Sequence, residues 1–433
     1  MRRELFSKLQ NWKQKTNRKP LIIRGARQVG KTWLMKEFAN REYENVVYVN
    51  FESDQQLQSL FIDDFDLSRI LLALQVATGV KPVPGKTLII FDEIQEAKRA
   101  LTSLKYFQEN APEYHIIAAG SLLGIALHAH TSFPVGKVEF LDLYPLTFDE
   151  YLQALGEDAL LGLLRERQWE LVKAFKSKYV ELLKQYYYVG GMPEVVAAFA
   201  QHKDFNEVRE IQKQILDAYQ QDFSKHAPLE VVPRIRLVWN SIPTQLAREN
   251  KKFVYGLIKQ GARAKEFELA LAWLMDCGLV HKVNRVTKPA MPLKAYEDFG
   301  AFKLFVSDVG LLACMAELDV KSLLENNAIF EEFKGALTEQ YVLQQLIASS
   351  GLSVYYWSSE QSTAEIDFLI QQNGSIIPIE VKAAENLRAK SLKSFVEKFH
   401  STITIRTSMS DFREETWMVN IPLYAIGIYL RNF

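Results

Sequence analysis

Three groups of residues in this 433-residue chain have types and spacings that could do chemistry. The first is Gly25-x-x-x-x-Gly30-Lys31-Thr32, the spacing of a phosphate-binding loop. Its glycines let backbone N–H groups close around phosphate oxygens, Lys31 can reach the β- and γ-oxygens, and the Thr32 hydroxyl can ligate Mg²⁺. The whole run Gly25, Ala26, Arg27, Gln28, Val29, Gly30, Lys31, Thr32 and Trp33 is therefore the expected nucleotide cradle, with ATP and Mg²⁺ as its ligands. The second is Asp92-Glu93, after the apolar run Leu88 to Phe91. There Asp92 can hold the Mg²⁺ and Glu93 can polarise an attacking water. Ser121, at the end of "YHIIAAGS", is either a sensor of the γ-phosphate or water, or a helix cap. The third is "EIDFLIQQNGSIIPIEVKA", which places Asp367, Glu380 and Lys382 inside apolar runs, where charges are costly unless paired or bound to a metal.

These residues need elements to hold them. A β-branched strand at 21–23 precedes the loop, and a helix carrying Leu34, Met35 and Phe38 follows it. Strands are expected at 45–53, 88–91, 114–121 and 136–144, which with the intervening helices predict an α/β domain built on a mostly parallel sheet. From 151 the pattern turns helical and stops at Gly190-Gly191; the Tyr186 to Tyr188 cluster at that stop reads as packing more readily than as a base-stacking platform.

Charge and composition bound the rest. Lys and Arg number 52 and Asp and Glu also 52, so the total gives no sign of a strongly basic or acidic chain. Locally, residues 225–265 hold nine Lys or Arg against two Glu. Three helices and a short strand there follow the order of a winged helix, whose third helix presents Arg263, Lys265 and Glu268 on its polar side. Those two basic residues are the expected DNA contacts; the alternative is a solvated face on a connecting module. Cys277 and Cys314 lack metal-ligand spacing and read as buried hydrophobes, and His226 and His281 are isolated. The charged N-terminus has no apolar signal-peptide core, and no apolar run reaches the ~18 residues of a membrane span, so a cytoplasmic protein without membrane partners is expected.

The loop, "VVYVNFE", "LIIFDEIQEA", "AAGSLLG" and "PVGKVEFLDLYPLTFDEYL" resemble the prokaryotic ATPases related to the AAA+ and archaeal ATPase groups. The likeness extends over the chain through "YYYVGGMPEVV", "FKLFVSDVGLLA" and "KGALTEQYVLQQL". It implies a P-loop ATPase, possible homo-oligomers, and a second half of uncharacterised function. One position departs: Lys137 stands where such machines place an arginine finger, and lysine cannot reproduce the bidentate fork. The C-terminal order, helix then strands with Asp, x12, Glu-x-Lys, resembles PD-(D/E)XK nucleases, with Asp367, Glu380 and Lys382 on the motif and Glu339 on its helical acid. On a strand, Glu380 and Lys382 share one face. A second divalent cation shared by Asp367 and Glu380 is one expectation; an ion-pair cluster in a fold that has lost its chemistry is the other.

The expected plan is thus a P-loop ATPase domain at 1–150, a helical lid at 151–224, a winged-helix-like module at 225–295 and a nuclease-like α/β domain at 296–433. The leading functional expectation is an ATPase whose nucleotide state controls a half acting on DNA. The rivals are a nucleotide-gated switch on an inactive nuclease-like scaffold and an ATPase that remodels a protein partner.

Overall fold

The computed structural model describes residues 2–62, 64–121, 134–248, 251–321, 331–359, 364–385 and 389–431. The chain divides into two compact units, one formed by Arg2–Tyr144 with Asp276–Gly278, the other by Pro145–Met275 with Leu279–Phe433.

The first unit is built on strands β1 (Leu21–Arg24), β2 (Asn45–Asn50), β3 (Thr87–Asp92), β4 (His115–Ala119) and β5 (Glu139–Asp142). Their order is β2-β3-β4-β1-β5, and every pairing is parallel. Because parallel strands are covered on both faces, their sequences run apolar without alternation, and β3 and β4 are buried at every position. Phe51, Phe61, Phe91 and Phe107 fill the core of this unit on one side of the sheet. The topology sets the site. β4 lies between β1 and β3, so the loop after β1, the acids ending β3 and Ser121 after β4 all leave the same edge of the sheet.

The second unit holds the helical region and an eight-stranded mixed sheet. Its strands are β6 (Val280–Val286), β7 (Glu297–Val306), β8 (Tyr355–Ser358), β9 (Glu365–Gln372), β10 (Ser375–Val381), β11 (Ile405–Ser408), β12 (Arg413–Glu414) and β13 (Val419–Pro422). The order is β12-β13-β11-β10-β9-β8-β6-β7. β6 and β7 form an antiparallel hairpin, and β6 pairs in parallel with β8 through Asn284 and Arg285. The strand expected to end a winged helix therefore belongs to the same sheet as the nuclease-like motif. The hairpin also crosses the position, 295–296, at which the sequence suggested a division.

Two glycine sites explain sequence patterns that have no chemistry of their own. A Cβ on Gly310 would lie 2.6 Å from the backbone of Val189 and Gly190, and one on Gly190 would meet Asp308 Oδ1 at 2.1 Å. Only glycine lets the end of helix Lys176–Val189 touch the start of helix Val309–Met315. Asp308, fully buried, closes this joint by accepting from Gly191 N at 2.6 Å and Leu311 N at 3.0 Å. On helix Glu331–Ser350, Gln340 bonds both the N–H and the C=O of Val306, and Gln344, one turn on, accepts from Val309 N and donates to Asp308. The glutamines thus satisfy backbone groups that the end of β7 would otherwise leave unpaired. Tyr186, Tyr187 and Tyr188 are all buried, Tyr186 receiving the Gln344 amide at 3.0 Å, so the aromatic cluster is packing.

Candidate functional site

The first site is assembled at the loop after β1. Gly25 has φ +147°, and a Cβ there would come within 2.2 Å of the Leu143 carbonyl oxygen, so the chain can pass only as glycine. Gln28 and Gly30 also have positive φ, 66° and 91°, which turns the loop back on itself before helix Lys31–Glu42 begins. Arg3, which sequence inspection did not single out, holds this turn by donating to the Val29 carbonyl at 3.0 Å and to that of Tyr144. No local spacing could have revealed a contact 26 residues away.

Lys31 is buried and donates to the carbonyls of Gly25 at 2.9 Å and Ala26 at 2.8 Å. Burial pulls its ammonium down to about 8, a fall partly offset by the carboxylates of Glu93 and Asp92. Thr32 donates its hydroxyl to Asp92 Oδ2 at 2.6 Å, and Tyr48, from β2, donates to the same oxygen at 3.0 Å. Burial and then the Asp92 charge push the Tyr48 phenol up to about 12, so it stays a donor. Glu93 has φ 47° and accepts three hydrogen bonds on Oε2, from Gln95 Nε2 at 2.6 Å, Ser121 Oγ at 3.1 Å and Ser121 N at 3.2 Å. Trp33 is exposed beyond the loop, while Ala26 and Val29 are buried beneath it. Lys137 pairs with Glu109 of its own chain at 2.8 Å.

The residues present fit a nucleotide and its magnesium. At Gly25 the loop has no room for a side chain beside Leu143, the buried Lys31 donates to the carbonyls of Gly25 and Ala26, and the Thr32 hydroxyl meets the Asp92 carboxylate beside it. A bound ATP would supply the phosphoanhydride, and Thr32 and Asp92 are the residues that would hold its Mg²⁺. Residues 17–152 match the model of the AAA domain. The chain carries a P-loop ATPase domain. Residues 180–322 and 334–426 match two domains of unknown function, DUF8612 and DUF4143. No curated protein matches the sequence. Among solved structures, a Walker-type ATPase of Pyrococcus abyssi is similar at 16% identity and TM-score 0.46, over 73% of this chain and 95% of that one. The ORC1 protein of Aeropyrum pernix, solved in complex with DNA, gives 11%, 0.27, 72% and 90%. Cdc6p of Pyrobaculum aerophilum gives 11%, 0.23, 73% and 91%.

The second cluster gathers residues of β7, β9, β10, helix Glu331–Ser350, the residue that follows β10 and the loop at Lys251. It unites Glu339, Asp367, Glu380 and Lys382, and adds Lys251, Lys303 and Glu365, which the sequence reading missed. Lys303 is fully buried and lies 3.5 Å from Glu339 and 2.5 Å from Glu365, while Lys251 also pairs with Glu339. Lys382 Nζ is 3.0 Å from Glu380 Oε1, and Asp367 Oδ2 accepts from Val381 N at 2.7 Å. Burial pulls the Lys303 ammonium down, but the carboxylates of Glu339, Glu365 and Asp367 outweigh it and push it well above the ordinary lysine value. Burial opposes ionisation of Glu339 too, and there the ammonium groups of Lys303 and Lys251 win and keep it ionised. The Asp367 carboxyl, surrounded by protein atoms although part of the residue reaches solvent, is pushed up by burial and then by Glu339. Glu380 Oε2 is buried without a hydrogen-bond partner. Among the described residues, no three His, Cys, Asp or Glu side chains are grouped to hold a metal.

Arg263 and Lys265 are exposed at the start of helix Ala264–Asp276, with Phe267, Leu271 and Leu274 buried behind them. Cys277 and Cys314 are both buried and are not joined in a disulfide. Among the described residues no helix is long and apolar enough to cross a membrane.

Proposed function

We propose that the chain is a Mg²⁺-dependent ATPase whose nucleotide state controls a DNA-contacting second half. The observation that carries the ATPase part is the Thr32 hydroxyl at 2.6 Å from Asp92 Oδ2, because it joins the phosphate loop to the acid that ends β3. In this reading Lys31 leaves the Gly25 and Ala26 carbonyls for the β- and γ-phosphates, Thr32 and Asp92 hold Mg²⁺, Glu93 polarises the water, and Ser121 senses it. DNA contact is supported by the exposure of Arg263, just before helix Ala264–Asp276, and of Lys265 in its first turn, within a basic stretch. The test is ATP hydrolysis by the full chain with and without duplex and single-stranded DNA. Stimulation by DNA supports the reading, and an unchanged rate with no detectable DNA binding removes DNA as the partner while leaving the ATPase.

For the C-terminal cluster, one observation favours the scaffold reading over nuclease turnover. Glu339, Glu365 and Glu380 each have a lysine partner and Asp367 accepts from Val381 N, so the glutamates are paired without a cation. The rival reading is a cation shared by Asp367 and Glu380, and the unpartnered Glu380 Oε2 is the feature in its favour. A crystal soaked in Mn²⁺ separates them. A peak at ~2.0–2.3 Å from both carboxylates restores the nuclease reading; a lysine-paired site at high Mn²⁺ retires it.

A further inference from the structure

Glu93 stands in the left-handed region, at φ 47° and ψ 47°, which a long side chain adopts only where its surroundings hold it there. What holds it is visible. Ser121 supplies two of the three donors on Glu93 Oε2, through its N–H and its hydroxyl. The third, and the shortest at 2.6 Å, is the side-chain amide of Gln95, on the 3₁₀ turn Ile94–Glu96 that follows directly. The Gln95 carbonyl oxygen is buried with no hydrogen-bond partner, so this amide makes no polar contact with that end. Turned over, it would set its oxygen against a carboxylate, which fixes the orientation with the N–H toward Glu93. A buried carbonyl without a partner is a cost, and it is sustained here by the single bond to Glu93.

We propose that Gln95 is a positioning residue of the ATPase reaction, which with Ser121 anchors Glu93 by one oxygen so that Oε1 is left to accept from the attacking water. The inference rests on the reading of Glu93 as the group that polarises that water. All three bonds fall on Oε2, so the carboxylate is held at one corner and rotation about its side chain is stopped. Loss of the Gln95 amide frees that rotation. The hydrogen bonds of Lys31, Thr32 and Asp92, the residues read as holding the nucleotide, do not involve Gln95, so the effect is expected in turnover and not in binding.

The test is steady-state ATP hydrolysis by the full chain. Gln95→Ala is expected to lower kcat about ten- to a hundredfold with KM for ATP unchanged, as displacement of a reacting group by ~1 Å does. Gln95→Glu keeps the size of the side chain but replaces the donor with an acceptor, and is expected to fall at least as far. In a Glu93→Gln background, Gln95→Ala is expected to cause no further loss, because a residue that acts only through Glu93 has nothing left to act upon. A residue that merely supports the fold would give additive losses and a lowered melting point. Additive losses, a raised KM, or full activity in Gln95→Glu each overturns the inference while leaving the role of Glu93 intact. Full activity in Glu93→Gln itself removes the role of Glu93, and the inference with it.

Discussion

Lys303 Nζ lies 3.5 Å from Glu339 Oε2, with the lysine side chain 1% exposed and the glutamate 7%. Two buried charges at that separation tolerate each other's company far better than either tolerates its absence. Lys303→Met is therefore expected to destabilise the chain by about 3–5 kcal/mol, because it leaves Glu339 and Glu365 short of a counter-charge. Adding Glu339→Gln to that variant is expected to recover part of the loss. Equilibrium urea unfolding of the two variants measures both, and simple additivity would contradict the coupling.

Lys31→Ala is expected to abolish ATP binding without unfolding the chain, since among the described residues the hydrogen bonds of the lysine go to loop carbonyls and not to the core. Glu93→Gln is expected to bind ATP normally and hydrolyse it at least a hundredfold more slowly, about the size of a general-base contribution. Binding of a fluorescent nucleotide beside phosphate release separates the two; hydrolysis at the normal rate in Lys31→Ala would refute the placement of the phosphates.

If Arg263 and Lys265 touch phosphates, replacing both with alanine is expected to weaken DNA binding and to shallow the plot of log K against log salt by roughly one unit of slope per lost contact. Fluorescence anisotropy at several salt concentrations reads that slope. An unchanged slope would leave the helix as a connector.

His115, on β4, accepts or donates at Nδ1 with the Tyr43 hydroxyl at 2.7 Å, and its ring packs edge-on to Trp12. Burial, then the charges of Arg18 and Lys13, pull it down to about 4. A histidine depressed on folding binds its proton more readily in the unfolded chain, so stability is full above the ordinary value of ~6.5 and is lost as pH falls toward 4. The denaturation midpoint should therefore drop over that interval, and His115→Gln should flatten the drop. An identical pH profile in the variant would assign the loss to other groups.

Gly310→Ala is expected to cost about 1–3 kcal/mol, because the new methyl meets backbone atoms of Val189 and Gly190 at 2.6 Å that cannot swing aside. Gly335→Ala, on helix Glu331–Ser350 with nothing within 4 Å, should instead gain roughly 0.5–1 kcal/mol from helix propensity. Thermal melts of the two variants should move in opposite directions.

The sequence by itself determined the phosphate loop, the acids at the end of β3 and the parallel sheet beneath them. Those features are local: Gly25 to Thr32 lie between a strand and a helix, and unbroken apolar runs such as Leu88 to Phe91 are what a strand buried on both faces must be. It also pointed to Asp367, Glu380 and Lys382 as neighbours, because β9 and β10 form a hairpin and Lys382 directly follows β10. Tertiary structure alone decided the rest. Lys303 reads in sequence as one charge in "FKLFV", and only the pairing of β6 with β8 carries β7 into the sheet that bears Glu365 and Asp367. Lys251 reaches Glu339 across 88 residues, and Arg3 reaches the phosphate loop across 26. Whether four acids wait for a cation or are already neutralised depends on which lysines arrive among them. Spacing along a chain cannot express that, because such contacts are set by strand order and not by the residues in between.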